Sequence, residues 1–279
     1  MKFFRIVTVT CTVLFFQHIY AQETTATPNK TPIKIGIKAG YSLGELSNRV
    51  ENTYTKNYES VSGVDFGLIA EFTLSKLLAI QTELNLTQRG GVRSGMQPVT
   101  STELSDQLNS FLPFIGQPLI TNENPLYANF KNESDLKYAE VPVLAKIGFG
   151  NKFRIALEVG PYVGILLKST QHTSGTSQFY YDEEGTVPVT VPVSDDLSQF
   201  VELPEQSLDA NTDTKDSLHI VNFGGIVGLG LSAELGAKSM IFADARASYS
   251  FNSIQINDEF GKSHIGGVIF SLGYAYSIQ

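Results

Sequence analysis

The sequence has almost no cysteine and no tryptophan. Its one cysteine, Cys11, lies before residue 22, where we expect the mature chain to begin, so that chain has no thiol for a disulfide or a metal site. This composition fits an exported bacterial protein. Any aromatic anchoring at a membrane interface must come from the 12 tyrosines and 18 phenylalanines.

The sequence also lacks a long apolar run and a surplus of basic residues. No segment after the N-terminus reaches the roughly 20 apolar residues of a transmembrane helix, which excludes a helical membrane protein. A net charge of -8 argues against nucleic acid as a partner. There is no phosphate-binding glycine loop, no nucleophile elbow and no histidine pair with metal spacing, so we expect no cofactor and no enzyme.

The N-terminus has the features of a signal peptide. Lys2 and Arg5 precede an apolar stretch from Ile6 to Phe16, and Ala21 provides a small residue before the cleavage point at Gln22. We therefore predict three parts: a signal peptide at 1–21, a flexible lead-in at 22–32, and one domain at 33–279.

Eight segments of that domain alternate apolar with small or polar residues. The alternation predicts an all-β, eight-stranded antiparallel transmembrane β-barrel, because such a strand shows one face to lipid and the other to the lumen. The predicted strands are Ile33–Leu43, Val61–Leu74, Leu77–Arg89, Leu136–Gly148, Phe153–Leu167, Leu218–Ala233, Met240–Asn252 and Ile265–Ile278.

The connections between these segments alternate in length. Those at 75–76, 150–152 and 236–238 are tight, whereas those at 44–60, 90–135, 168–217 and 253–263 are long. This asymmetry is typical of outer-membrane barrels with short periplasmic turns and long extracellular loops. Within the longest loop, Thr186–Val193 alternates but carries two prolines, which predicts an edge-like extension or an irregular loop and not a ninth barrel strand.

Alternation alone fits a soluble lipocalin-like barrel as well. Glycines distinguish the two, because ten of them fall on the polar face, where a solvated surface would favour lysine, glutamate and threonine. The lumen of a narrow barrel needs small residues. The glycines therefore favour the membrane barrel.

The predicted lumen carries charges of both signs in nearly equal number. We expect them to form an ion-pair network that fills the lumen, since buried charges persist when paired; a narrow polar conduit is the alternative. The predicted members are Lys34, Lys38, Asp65, Glu71, Glu83, Arg89, Glu140, Lys146, Arg154, Glu158, Glu234, Asp244 and Arg246.

A rim hydrolase is a weaker hypothesis. His172, His219 and His264 fall near the long-loop ends of strands, and Asp216 lies three residues before His219, but nothing in the sequence brings them together. The acidic loop residues lack the spacing of a calcium-binding loop, so we expect no metal and a solvated acidic surface.

Several motifs resemble the PorT-like outer membrane β-barrel proteins of Bacteroidetes. They are Ile35–Tyr41, the Tyr-x-Glu-x-Pro stretch within Tyr138–Lys146, and Gly160–Gly164. The resemblance implies an integral, non-enzymatic outer membrane protein. It does not assign a role, because the family is poorly unified in function and the long loops here share no signature with its secretion-machinery namesake.

The last strand is similar to the C-terminal signal that the barrel-assembly machinery reads. Ser271, Gly273, Tyr276 and Ile278 carry the likeness, although the chain ends in Ile278-Gln279 and not in an aromatic residue. We therefore expect three kinds of partner: outer membrane lipid, the assembly machinery during biogenesis, and an unknown envelope protein. We expect the protein to act through its extracellular loops or through a partner protein, in binding, in another surface role or as an accessory to a machinery. A channel for small solutes is the alternative.

Overall fold

Antiparallel strands dominate the structure, a computed structural model that describes residues 33–48, 52–99, 102–193, 199–257 and 261–278. The predicted signal peptide and lead-in lie outside the described residues. In chain order the strands are β1 (Ile33–Asn48), β2 (Glu59–Thr73), β3 (Leu78–Val99), β4 (Leu126–Gly150), β5 (Phe153–Ser174), β6 (Thr176–Ser177), β7 (Thr190–Pro192), β8 (Phe200–Glu202), β9 (Gln206–Ser207), β10 (Ala210–Asp213), β11 (Val221–Glu234), β12 (Ser239–Ser250) and β13 (Ser263–Ile278).

Eight of these strands close into a ring. The order β1-β2-β3-β4-β5-β11-β12-β13 returns to β1, and every neighbouring pair is antiparallel. Ile37, for example, pairs with Leu68 on one side and Tyr274 on the other. The prediction of an eight-stranded antiparallel barrel is confirmed.

The outer wall of the barrel is apolar. Ile37, Leu86, Leu229 and Leu272 are each more than half exposed, and the large exposed hydrophobic residues recur at every second position around the ring. Soluble proteins rarely expose so continuous an apolar surface, whereas lipid requires one. No helix in the described residues is long and apolar enough to cross a membrane.

One end of the barrel has short turns and the other has long connections, which we call the short-turn end and the long-loop end. The predicted strand boundaries at the long-loop end were wrong. β3 continues ten residues past Arg89 to Val99, and β4 begins at Leu126 instead of Leu136. Above the apolar band neither face contacts lipid, so the alternation stops while backbone pairing, such as Arg93 with Asn132, continues.

Two further boundaries differ for related reasons. β5 runs on to Ser174, and β10 pairs with that extension. The predicted strand from Leu218 begins only at Val221, because Leu218 turns inward and is buried.

The connections at the long-loop end build a small folded layer. A helix, α1 (Thr102–Asn109), and a 3-10 helix (Leu112–Ile115) pack on the extended strands. The Thr186–Val193 segment contributes β7, which pairs with β8 outside the barrel, as expected for a strand interrupted by proline. The buried residues of this layer, the outer core, are Leu108, Leu112, Ile120, Leu126, Ala128, Phe179 and Val189.

Candidate functional site

The interior of the barrel is lined by charged side chains from neighbouring strands. The two-residue period of a strand sends Lys34 and Lys38 of β1 to the same face, and the antiparallel register places Lys34 opposite Glu71. The same register sets Lys146 of β4 opposite Glu158 of β5. Opposite charges therefore meet across adjacent strands because of strand pairing.

Arg246 lies at the centre of this lumen. Its guanidinium donates to Glu158 and Glu83 at 2.7 Å each and to Asp244 at 2.9 Å, and only 1% of the side chain is exposed. The planar fork of arginine suits this arrangement, since its five N–H groups can reach several carboxylates at once.

The network continues from Glu83 toward the long-loop end. Lys38 Nζ lies 2.8 Å from Glu83 and 3.3 Å from Asp65, and all three side chains are completely buried. Gln81 and Asn85, also on β3, donate amide hydrogen bonds to the Glu83 carboxylate. Glu83 is therefore held by two cations and two amides.

The network continues from Glu158 toward the short-turn end. Lys146 Nζ lies 3.0 Å from Glu158 and 3.1 Å from Glu71, and Lys34 Nζ lies 3.1 Å from the other oxygen of Glu71. A single chain of contacts thus runs from Asp65 through Arg246 to Lys34.

A separate pair and an apolar cluster occupy the long-loop end. Arg89 Nη2 lies 3.4 Å from Glu140, both buried. Beyond this pair lies a cluster that we call the apolar cap, in which side chains of four barrel strands meet two residues from the connections. Its buried members are Leu46, Leu136, Tyr138, Leu166, Leu218, Ile254 and Ile265.

Two predicted members of the network lie elsewhere. Glu234, the last residue of β11, is exposed at the short-turn end, where the barrel wall stops and solvent replaces it. Arg154 is partly buried and donates to the backbone carbonyls of Lys76 and Gly148, at 2.9 and 3.4 Å. Within the described residues no carboxylate lies within ion-pair distance of Arg154.

Inward-facing glycines make room for these charges. A Cβ atom on Gly228 would lie 2.6 Å from Arg246 Cγ, and one on Gly230 would lie 2.7 Å from Glu158 Oε1. The sequence predicted that glycines would face the lumen, and the structure shows what they accommodate. The sequence did not reveal the apolar cap, because Leu218 and Ile254 lie in connections, where an apolar residue gives no periodic signal.

The three histidines after the predicted signal peptide have separate surroundings. His264 is buried, stacked on Tyr249 with ring centroids 5.6 Å apart, and its Nδ1 lies 3.2 Å from the Ser250 carbonyl oxygen. His172 is exposed and contacts Asn211. His219 and Asp216 line one open groove, but no hydrogen bond joins their side chains in the described residues. Nor do the described residues contain a group of three metal-ligating side chains.

The predicted assembly-signal residues alternate around the last strand. Ser271 is buried toward the lumen, and Gly273 lies against the Phe242 ring. Tyr276 and Ile278 are exposed on the outer wall, each at 41%. The C-terminal strand therefore presents an outward aromatic and an outward apolar residue near its end.

Comparisons with known proteins agree with the closed ring. A family model described as an outer membrane protein beta-barrel domain matches residues 20–255. A comparison with curated proteins finds no match. Similar solved structures include the attachment invasion locus protein Ail of Yersinia pestis, which is 13% identical, with 88% of this chain and 98% of that chain covered and a TM-score of 0.37.

Two further solved structures are similar at the same level. Neisserial surface protein A is 9% identical, covering 86% of this chain and 95% of that chain with a TM-score of 0.33. A major outer membrane protein from Thermus thermophilus is 13% identical, covering 88% and 99% with a TM-score of 0.33. Because all of these scores are low, the assignment depends on the ring of eight strands and on the family model.

Proposed function

The chain belongs to the outer membrane protein beta-barrel domain family, and from that premise we propose that it is a closed, non-enzymatic barrel that presents a folded extracellular layer to a partner. The barrel anchors the protein in the membrane, and the outer core fixes the shape of the extracellular layer. The long-loop end is the extracellular side, as in barrels with short periplasmic turns.

The observation that carries this proposal is the outer core. Leu112, Val189 and Ala128 are completely buried, although they come from a 3-10 helix, the connection just before β7 and the extension of β4. Long connections that share a core have one preferred arrangement, and a preorganised surface binds a partner at a lower entropic cost than mobile loops do.

Closure of the lumen supports the same proposal. In the membrane-spanning part, the network from Asp65 to Lys34 crosses the interior, and the apolar cap covers its extracellular side. An eight-stranded barrel has an interior about wide enough to be filled by its own side chains. We propose that the predicted lumen charges are structural and that the barrel does not conduct.

A narrow channel is the second candidate, because some polar groups in the lumen near the long-loop end have unused hydrogen-bonding capacity. Two nitrogens of Arg89 and the Tyr138 hydroxyl are buried without a hydrogen-bond partner among the described residues, and the Asp65 carboxylate has only its ion pair with Lys38. Such atoms favour a small hydrated space. The apolar cap, to which Tyr138 itself belongs, closes this space on the extracellular side, which is why we rank the channel second.

PorT-like membership in Bacteroidetes is part of the proposal. Its support is that two of the three resembling motifs are adjacent in the barrel: Glu140 pairs with Gly164 and Pro142 with Tyr162 across β4 and β5. A Cβ atom on Gly164 would lie 3.3 Å from Glu140 Cγ. Export by the predicted signal peptide, and assembly through the signal in the last strand, belong to the same proposal.

Replacing the extracellular layer tests the proposed function. The test uses a strain that lacks the protein and a variant in which a short glycine-serine link replaces residues 102–125. The variant should reach the outer membrane and show normal heat-modifiable migration. It should not correct the phenotype that loss of the protein causes. The intact protein should correct it. Full restoration of the wild-type phenotype by the shortened variant would show that the function does not depend on the extracellular layer.

Conductance in planar bilayers separates the two candidates. The purified protein should give no steady conductance, because charge pairs and the apolar cap block the lumen. Replacing Arg246 and Glu158 together with alanine should produce a small leak or an unstable barrel. A steady, well-defined conductance from the unmodified protein would put the channel first.

A further inference from the structure

A row of lysines lies on the outer wall at the extracellular edge of the apolar band. Lys137 of β4 and Lys168 of β5 are direct cross-strand partners, and both side chains are exposed. Like charges directly opposite each other on neighbouring strands destabilise a sheet. The pair therefore needs a reason to be there other than the stability of the barrel.

A β-bulge sets the position of this pair. The register shifts between Lys137 and Tyr138, and Leu167 is the extra residue on β5. Leu166 and Ser169 are buried toward the inside, whereas Leu167 and Lys168 are both exposed. Bulges re-aim side chains in this manner. Here an apolar side chain and a cation come to lie side by side on the outer wall.

A third lysine adjoins the pair from the other edge of β5. Lys215 Nζ donates to the Leu167 carbonyl oxygen at 3.0 Å, and Thr214 N donates to the Ser169 carbonyl oxygen at 3.3 Å. Lys215 also lines an open groove of about 440 Å³ whose walls include Ile220, Val221 and Ile256, three exposed apolar residues.

Acidic groups near the row only partly neutralise it. Asp135 Oδ2 lies 3.8 Å from Lys137 Nζ, but the other oxygen accepts a hydrogen bond from Gln88. Asp216 lines the same groove as Lys215. For Lys168, no ion pair occurs within the described part of the chain. Asp213 Oδ1 accepts a hydrogen bond from the backbone N–H of Lys215 at 3.0 Å. Three carboxylates thus lie near the three lysines, but among the described residues only Asp135 is within ion-pair distance of one of them.

We propose that Lys137, Lys168 and Lys215 bind the phosphate group of an anionic lipid in the outer leaflet, whose acyl chains lie on Leu167 and in the adjoining groove. The row is at the height where a lipid headgroup meets the aqueous phase, with exposed apolar residues such as Ile165 directly below. A phosphate between Lys137 and Lys168 relieves their repulsion, and lysine is well suited to bind phosphate as a point charge.

Lipid association in proteoliposomes tests this site. The full chain is placed in phosphatidylcholine bilayers, and spin-labelled phosphatidic acid and spin-labelled phosphatidylcholine report the relative association constants. The wild type should prefer phosphatidic acid. The double variant K137Q/K168Q should lose about fivefold in that preference per lysine, from about 1 kcal/mol for each basic residue near an anionic surface.

The matched control is K56Q/K131Q, which also removes two positive charges at the extracellular end. Those lysines pair with Glu183 and Glu133 instead of facing the apolar band, so this variant should keep the preference. In bilayers without anionic lipid, K137Q/K168Q should unfold at the same or a higher urea concentration than the wild type, which a merely structural role for the pair would not give.

Three results would overturn the site. The first is an equal association of the wild type with both lipids. The second is an equal loss in the two double variants, which would mean general surface charge. The third is displacement of the labelled lipid by glycerol 3-phosphate at the same concentration as by unlabelled phosphatidic acid, since the apolar groove would then contribute nothing.

Discussion

Replacing Arg246 with methionine removes the cation at the centre of the lumen. Arg246 contacts three buried carboxylates, and two of them keep another cation: Lys38 lies near Glu83 and Lys146 near Glu158. Asp244 keeps none, because Arg246 is the one cation within ion-pair distance of it in the described residues. Breaking a buried pair from one side costs about 3–5 kcal/mol, so we expect a loss of that size in the free energy of unfolding.

Urea unfolding in lipid vesicles, followed by gel mobility and circular dichroism because the chain has no tryptophan, measures this loss. The matched control is Arg154→Met, which removes an arginine that is only partly buried and bonded to backbone carbonyls; it should cost less than about 1.5 kcal/mol. Adding Asp244→Asn to Arg246→Met should recover part of the loss. Equal costs for the two arginines, or no recovery, would refute the reasoning that the central charges are stabilised by pairing.

Three further predictions concern the wall, the lumen and the extracellular layer. Leu229→Arg should cost about 2–4 kcal/mol at the bilayer midplane, while Ala156→Ser on the inward face should cost little, both by urea unfolding. Gly228→Ala should cost about 1–3 kcal/mol because its Cβ meets the arginine stem, whereas Gly266→Ala, with its nearest contact at 3.5 Å, should be tolerated. A threonine hydroxyl holds the pKa of Asp182 below its usual 3.8, so the turn at 182–187 should keep full protease resistance above pH 3.8 and lose it as the pH falls through the lowered pKa.

Each of these predictions has a contrary result. Equal tolerance of Leu229→Arg and Ala156→Ser would refute the assigned strand register, in which Leu229 faces lipid and Ala156 faces the lumen. Equal stability of the two glycine variants would mean that the arginine stem has free space. Cleavage of the turn that does not change with pH would show that Asp182 does not hold it.

The strands in the membrane could be predicted because lipid imposes a pattern on them. Ile37, Leu157 and Leu229 face outward as the alternation requires, and a shift of one residue would expose every inward charge to lipid. Where lipid ends, the constraint ends with it. The extensions of β3 and β4 past Arg89 and Leu136 therefore gave no periodic signal, although their backbones pair without interruption.

The sequence alone determined the eight barrel strands, the alternation of their inward and outward faces and which end carries the long connections, because a two-residue period is a local property of the chain. The tertiary structure decided which lumen charges meet. Register and closure bring Arg246 of β12 to Glu83 of β3, which is 163 residues away, and leave Glu234 in solvent. It also decided that the long connections share a core. Contacts between distant segments depend on how the ring closes, and no local pattern encodes that.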